Sequence, residues 1–382
     1  NATGRSRFYD EPGGQAVVRG RSIDIDNRPF DPENETPARP MRDWGAMTLP
    51  LFFVSGSPDL GVVVGGGLAH TNFGFRKKPY ALDIRLRAGY ATTAQTFRAE
   101  LATDVRRENS PVYVNVLARA SGQEILRFHG FGNDTEIDGS SDFYKVHQQQ
   151  YALEPELVIP FADRLTFAFG PAVQYSDTRM DEDRFISAAQ PYGTPSFGQL
   201  AAKGRVTFDA RNRPIAATNG FLLQAGGSFF PALWDVESAF GELHAEAAAY
   251  VTPGAGPTLA LRAGGKKLWG TYPFHEAAYI GDATTVRLGR KQRFGGDAEV
   301  HGTAELRQKL GRITLVLPGD VGILGFADGG RVFFEDEDSN TWHTAFGGGL
   351  FLALIDPSHT LSLSVAKSEE RVGVYVQAGF SF

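Results

Sequence analysis

The chain has 382 residues and a formal net charge of −6, with 42% hydrophobic residues, 45 glycines, 29 phenylalanines, 12 tyrosines and no cysteine. A mean hydropathy of −0.22 and the lack of any apolar run of about 18 residues exclude a helical membrane protein. The missing cysteines exclude disulfides, thiol catalysis and cysteine-ligated metals, and the acidic balance gives no reason to expect a nucleic-acid partner.

Residues 1–45 differ from the rest. No apolar core of a secretory signal follows Asn1, so the reading is a mature chain or the tail of a longer precursor. Residues 19–26 suit a short strand, the end of an upstream domain or simply part of a tail. Residues 31–40, rich in proline and charge, read as a linker. The expected division is a periplasmic tail or linker over 1–45 and a barrel over 46–382.

From residue 46 onward, segments of about ten residues alternate with period two. Tyr80, Leu82, Ile84, Leu86, Ala88 and Tyr90 share one face, opposite Asp83, Arg85 and Arg87. Phe97, Ala99, Leu101 and Val105 alternate with Arg98, Glu100 and Asp104. Val372, Val374, Val376, Ala378, Phe380 and Phe382 oppose Gly373, Tyr375, Gln377, Gly379 and Ser381.

Turn residues bound strands near 60–73, 80–92, 95–107, 111–122, 143–160, 163–176, 196–210 and 219–231. They continue near 239–252, 257–270, 274–287, 297–310, 319–334, 341–354, 359–367 and 372–382, which makes sixteen. Residues 47–54 are an awkward extra, assigned to the approach to the first strand. A soluble sandwich also alternates, but no helical segment covers these apolar faces, which in water would aggregate. In lipid, around a polar lumen, they are what the solvent demands. The fold expected is an all-β transmembrane antiparallel barrel, with its first strand pairing with 372–382. Phenylalanine and tyrosine suit interfacial girdles, and glycine suits tight turns and crowded strands.

The segment Val286-Arg287-Leu288-Gly289-Arg290-Lys291-Gln292-Arg293-Phe294-Gly295-Gly296-Asp297 is too basic and glycine-rich for a strand. It resembles the sixth extracellular loop of the BamA/TamA (bacterial surface antigen) outer-membrane assembly superfamily, which folds back into the barrel and carries a Val-Arg-Gly-aromatic signature. Arg287 matches the signature arginine. Leu288-Gly289 departs from it, and Arg293-Phe294-Gly295-Gly296-Asp297 is similar to the Arg-Phe-x-Gly-Asp that follows it. The stretch from Phe326 through Asp328 to Gly330 resembles the family's Phe-x-Asp-x-Gly strand motif. Glu305 stands where the family places its other acidic partner.

The resemblance implies a latch, in which Arg287 pairs with Glu305, Asp328 or both inside the barrel. Arg290 or Arg293 is the alternative if the loop shifts by a residue. Alternation independently turns Glu305 inward with Glu299, His301 and Arg307, and puts Asp328 on the face of Leu324 and Phe326. The resemblance also implies a lateral seam between first and last strands, which we expect Gly61, Gly65, Gly66 and Gly67 to weaken and Phe380 and Phe382 to border. Phe382 is similar to the terminal aromatic of outer-membrane barrels. The resemblance is specific over 284–382 and architectural over 46–283.

The residues offer little for catalysis. There is no Gly-x-Ser-x-Gly elbow or phosphate-binding loop. His70, His129, His147, His244, His275, His301, His343 and His359 are scattered, and His359 is poorly placed to serve Ser362 or Ser364 as in a membrane phospholipase. The clusters at Arg76-Lys77-Lys78 and Arg106-Arg107-Glu108-Asn109 read as solvated turns, the former also as a site for lipopolysaccharide phosphates. Asp181-Glu182-Asp183 and Glu335-Asp336-Glu337-Asp338 read as solvated loops or a divalent-cation site. Residues 128–135 read as a structured turn.

No enzyme activity, cofactor or resident metal is expected. The family's POTRA modules need more than residues 1–45. The leading expectation is insertion or translocation of proteins or other cargo at the outer membrane. The alternatives are an anchor or secretion conduit for a fused or partner domain, and a passive porin, which a basic plugging loop disfavours. The expected surroundings are outer-membrane lipid and lipopolysaccharide, with periplasmic or lipoprotein partners around a monomeric barrel.

Overall fold

A computed structural model describes residues 6–9, 23–28, 42–314, 317–335 and 337–382. The proposed linker at 31–40 lies outside the described residues, as do 19–22. Sixteen antiparallel strands close into one barrel. The first eight are β1 (Ala46–Ser57), β2 (Gly61–Asn72), β3 (Leu82–Ala91), β4 (Thr96–Arg106), β5 (Tyr113–Ser121), β6 (Gln148–Ala162), β7 (Leu165–Thr178) and β8 (Ser196–Asp209). The others are β9 (Gly220–Phe230), β10 (Phe240–Val251), β11 (Thr258–Trp269), β12 (Ala298–Thr314), β13 (Pro318–Phe333), β14 (His343–Leu354), β15 (Thr360–Ser368) and β16 (Val372–Ala378). Among the described residues no helix is long and apolar enough to cross a membrane.

The alternation of the sequence becomes the wall of the barrel. On β3, Asp83 is buried while Leu86 and Tyr90 are exposed, and Arg87 crosses the lumen face to pair with Glu100 of β4. Phe52 is 85% exposed, and Phe346, Leu350 and Leu243 also stand bare on the outside. Such a surface is stable only in hydrocarbon. Rings gather at both ends of the apolar band, with Tyr90, Tyr175 and Trp234 at one and Trp44, Phe161 and Phe167 at the other. Close packing explains several glycines. A Cβ on Gly241 would come within 2.4 Å of the Trp269 ring.

At one end of the barrel every connection is short. At the other, the segments 122–147, 179–195 and 270–297 are long, the asymmetry of outer-membrane barrels. These long loops pack into a dome. Phe128 contacts Phe131, Phe185 and Phe274, and Phe131 stacks on Phe334. Asn133 donates to the carbonyl of Thr341 (2.7 Å) and accepts from the N–H of Val332 (3.0 Å). The 128–135 turn is therefore the tie between loops.

The dome buries two imidazoles. Burial holds His129 down at about 3 and His275 at about 4. For a base with a lowered folded pKa, the folded state binds fewer protons, so stability is lost as pH falls below the unfolded value near 6.5. We expect loop cleavage by added protease to rise between pH 7 and pH 4.5, and the His129→Gln/His275→Gln protein to lose most of that pH dependence.

Two elements differ from the sequence expectation, and they offset each other in the count. Residues 47–54 belong to β1, a full strand paired with β2 from Ala46↔Asn72 to Ser57↔Gly61. The run lacks alternation and contains Pro50, which only an edge-like strand tolerates. Residues 274–287 are not a wall strand. They form a 3₁₀ turn (Phe274–Glu276) and a short strand (Ala278–Ile280) that pairs inside the loop with Phe294–Gly296. The wall continues directly from β11 to β12.

The charge clusters lie at turns and loops, as expected. Arg76, Lys77 and Lys78 lie on the short-turn end, away from the long loops where lipopolysaccharide would stand. Arg76 there stacks over Tyr9 and Phe75. Tyr9 belongs to a short parallel pair, Ser6–Tyr9 with Ile23–Asp26, held against the same turns by Asn109, which donates to Asp26. Asp181 pairs with Arg179, and Glu337 accepts the N–H of Asp134. Ser362 and Ser364 are buried on the lumen side, and Ser362 donates to the carbonyl of Gly379. They cannot serve lipid-facing catalysis.

Candidate functional site

The 270–297 loop enters the barrel and is pinned there. Arg287, on the loop, is 2% exposed. Its Nε donates to Asp328 Oδ2 at 2.6 Å, its Nη2 to Oδ1 at 2.7 Å, and its backbone N–H to Oδ2 at 3.2 Å. Nη1 stands 3.6 Å from Glu305 Oε2, and the guanidinium lies over the Phe326 ring, 3.2 Å from its centroid. Asp328 reaches inward because β13 alternates Leu324, Phe326, Asp328, Gly330 and Val332 to the lumen. A buried fork pair of this kind is strong only when both partners are satisfied.

Neighbouring residues fit the loop to the wall. Val286 rests on Gly330, where a Cβ would come within 2.7 Å of its Cγ2. Ile280, Val286, Leu288, Phe294, Val332 and Ala345 form one buried cluster, and Phe294 stacks on His343 at 3.6 Å. Gly296 lies against the Phe333 carbonyl. Asp297 accepts the Tyr272 hydroxyl at 2.6 Å and the Glu335 N–H at 2.9 Å. Arg290 and Arg293 do not take the latch position. Both pair with Glu370 in the β15–β16 turn, and Arg293 also donates to Thr135. Glu370 was missed in the sequence, where an acid in a polar turn carries no signal.

Glu305 does more than face Arg287. Its Oε1 accepts Arg307 Nε at 2.7 Å and its Oε2 accepts Ser381 Oγ at 3.1 Å. Arg307 Nη2 in turn donates to the Phe382 carbonyl at 3.0 Å.

This corrects the placement of the last residues. β16 stops at Ala378, the chain turns at Gly379 (φ +93°), and residues 380–382 enter the lumen. Phe380 packs on Phe351 at 5.1 Å and under Arg307, while Phe382 approaches Tyr250. They do not border the seam on the lipid side. Gly61, Gly65, Gly66 and Gly67 are likewise one strand in from the seam, on the fully paired β2. Gly65 makes room for the Phe53 ring and Gly67 for the Leu86 carbonyl, so they tighten the wall.

The seam itself lies between β16 and β1, with the single pair Val376↔Gly56. By contrast β15–β16 pairs throughout from Leu361↔Ala378 to Lys367↔Val372. Among the described residues, the edge of β1 below Gly56 therefore has no partner on its β16 side. The loop touches both sides of this gap. Gly289 N–H donates to Tyr375 Oη of β16 (2.9 Å), and Lys291 N–H to Asp59 in the β1–β2 turn (2.7 Å).

A closed sixteen-stranded barrel with bare apolar residues outside, an inward-pinned loop and one weakly paired strand junction is a barrel of the outer-membrane class. The Omp85 superfamily domain matches residues 69–382, and the chain belongs to that superfamily, whose barrels sit in the bacterial outer membrane. Among solved structures it is similar to BamA from Haemophilus ducreyi lacking POTRA domains 1–3, at TM-score 0.59 and 12% identity, covering 87% of this chain and 70% of that one. It is also similar to CdiB from Escherichia coli, at TM-score 0.55 and 13% identity, covering 89% and 64%. No curated protein matches the chain in sequence. Among the described residues there is no POTRA-like module. In this family's topology the long loops mark the extracellular end.

Proposed function

We propose that this barrel inserts or translocates polypeptides at the outer membrane by docking an extended segment of the client on the unpaired edge of β1. The observation that carries the reading is the single Val376↔Gly56 pair in a wall otherwise paired strand to strand. An open strand edge in lipid leaves backbone N–H and C=O groups without partners, and an incoming β-strand satisfies them. The latch of Arg287 on Glu305 and Asp328 holds the loop while the seam works, and lipoprotein or periplasmic partners deliver clients to the short-turn end. The reading involves no catalytic step. A passive pore fits less well, because the buried loop and dome occupy the lumen's extracellular mouth.

A cysteine pair tests it. Ser55 and Gln377 flank the single bonded pair. The Ser55→Cys/Gln377→Cys protein, reconstituted in lipid vesicles, is to be given an urea-unfolded outer-membrane barrel, whose folding is read by heat-modifiable gel migration. Oxidation should cut the accelerated folding at least tenfold, and reductant should restore it. Full acceleration by the oxidised, crosslinked protein would overturn the reading.

A further inference from the structure

The strands beside the seam are joined at the extracellular end by the shortest connections, hairpins at 58–60, 92–95 and 369–371. The exposed rings of Tyr90 and Phe97 lie just below the second of these, and such girdle rings mark the headgroup level. Directly above this rim is a pocket of about 410 Å³, walled by residues from the three hairpins and from the 122–147 and 179–195 loops.

The charge of this pocket runs against that of its surroundings. Its wall carries Arg127, Lys145, Arg184 and Arg371 against Asp59 and Asp142, four cations to two carboxylates. Elsewhere the same end exposes Asp134, Glu136 and Glu237. Arg127 is committed inside, paired with Asp59 at 2.8 Å and donating to the Ser141 carbonyl. Lys145 and Arg371 are the accessible cations. Lys145 pairs with Asp142 at 2.7 Å, but Asp142 is well exposed and Lys145 only half-buried, so solvent partly screens the pair and a second anion can compete. Arg184 lies 3.5 Å from the exposed Asp183 and donates to the Asp142 carbonyl. Among the described residues the Arg371 guanidinium has no hydrogen bond or ion pair. Its stem lies along Gly289, which fixes the head at the pocket.

We propose that this pocket binds the phosphate group of an outer-leaflet glycolipid, with Arg371 and Lys145 as its principal ligands. A phosphate monoester carries up to two negative charges, matching the wall's excess, and an arginine fork binds it bidentately. The acidic loops around the rim repel free anions, whereas a lipid held by its acyl chains presents its phosphate at this height. The proposal stands independently of the client-docking reading.

The probe is bisphosphorylated lipid A, titrated into the full chain in detergent and read by native mass spectrometry. Fully dephosphorylated lipid A and inorganic phosphate form the comparison arms. Saturable binding of lipid A is expected, with the dephosphorylated form at least tenfold weaker and inorganic phosphate weaker still. The Lys145→Gln/Arg371→Gln protein, checked for intact heat-modifiable migration, should lose at least tenfold in affinity. Lys77→Gln/Lys78→Gln, on the opposite end, should lose nothing. Equal binding of the dephosphorylated lipid by the wild-type protein would overturn the proposal without recourse to any variant. So would inorganic phosphate binding as tightly as lipid A, or a folded double variant within twofold of wild type.

Discussion

Arg287→Ala is expected to unseat the loop and to cost about 3–5 kcal/mol, the penalty for stranding buried charge when one partner is removed. The stranded groups are Asp328, which loses both guanidinium donors at once, and part of Glu305. The protein should lose heat resistance in gel migration, and the loop should become open to protease near Arg290. Arg287→Lys should fall between, because an ammonium cannot form the fork or stack on Phe326. The Arg287→Met/Asp328→Leu protein should recover much of the loss, since replacing both members of a buried pair by apolar groups removes the orphaned charge. The pinning reading fails if Arg287→Ala keeps full heat resistance and an uncut loop.

Glu305→Ala is expected to act on the other end of the same network. Glu305 is shared by the loop and by residues 380–382, through Arg287, Arg307 and Ser381. Without it, Asp328 still holds Arg287, but Ser381 loses its acceptor and Arg307 its carboxylate partner. Residues 380–382 then have an alternative. Continuing the register of Val376 opposite Gly56 would bring Phe380 opposite Phe52 and turn Phe380 and Phe382 to the lipid, beside a side chain already 85% exposed. A Phe52→Cys/Phe380→Cys reporter should crosslink poorly on its own, because Phe380 sits in the lumen against Phe351. In combination with Glu305→Ala, crosslinking should rise several-fold. No rise would mean that the carboxylate does not hold the tail.

The sequence carried most of the wall because a barrel strand has lipid on one side and a polar lumen on the other, which writes period two into every spanning segment. β3, β4 and β15 are legible for that reason. β1 was not, because residues 49–54 are uniformly apolar and include Pro50. That composition is tolerated where the strand lacks a partner on one side, a circumstance no local pattern records. Residues 274–287 erred the other way. Ile280, Val286 and their neighbours are buried inside the barrel against Val332 and Ala345, and a residue apolar for that reason looks, in sequence, like one facing lipid.

The latch was legible through Arg287, Glu305 and Asp328, because the resemblance to the family's loop and strand motifs marked these residues and alternation turned Glu305 inward. Its reach was not. Glu370, Tyr375, Asp59 and Asn133 come to the loop from distant turns and strands, and only closure of the barrel brings them together. The final residues show the limit best. By itself the sequence determined the barrel and its lipid-facing side, since these follow from alternation and residue type, while the charged partners within it came from the family resemblance. The tertiary structure decided where the seam lies and that Phe380 and Phe382 turn inward at Gly379. Alternation through residue 382 also suits an extended strand, and the choice rests on lumen contacts with Arg307, Phe351 and Tyr250 that exist only once the barrel has closed.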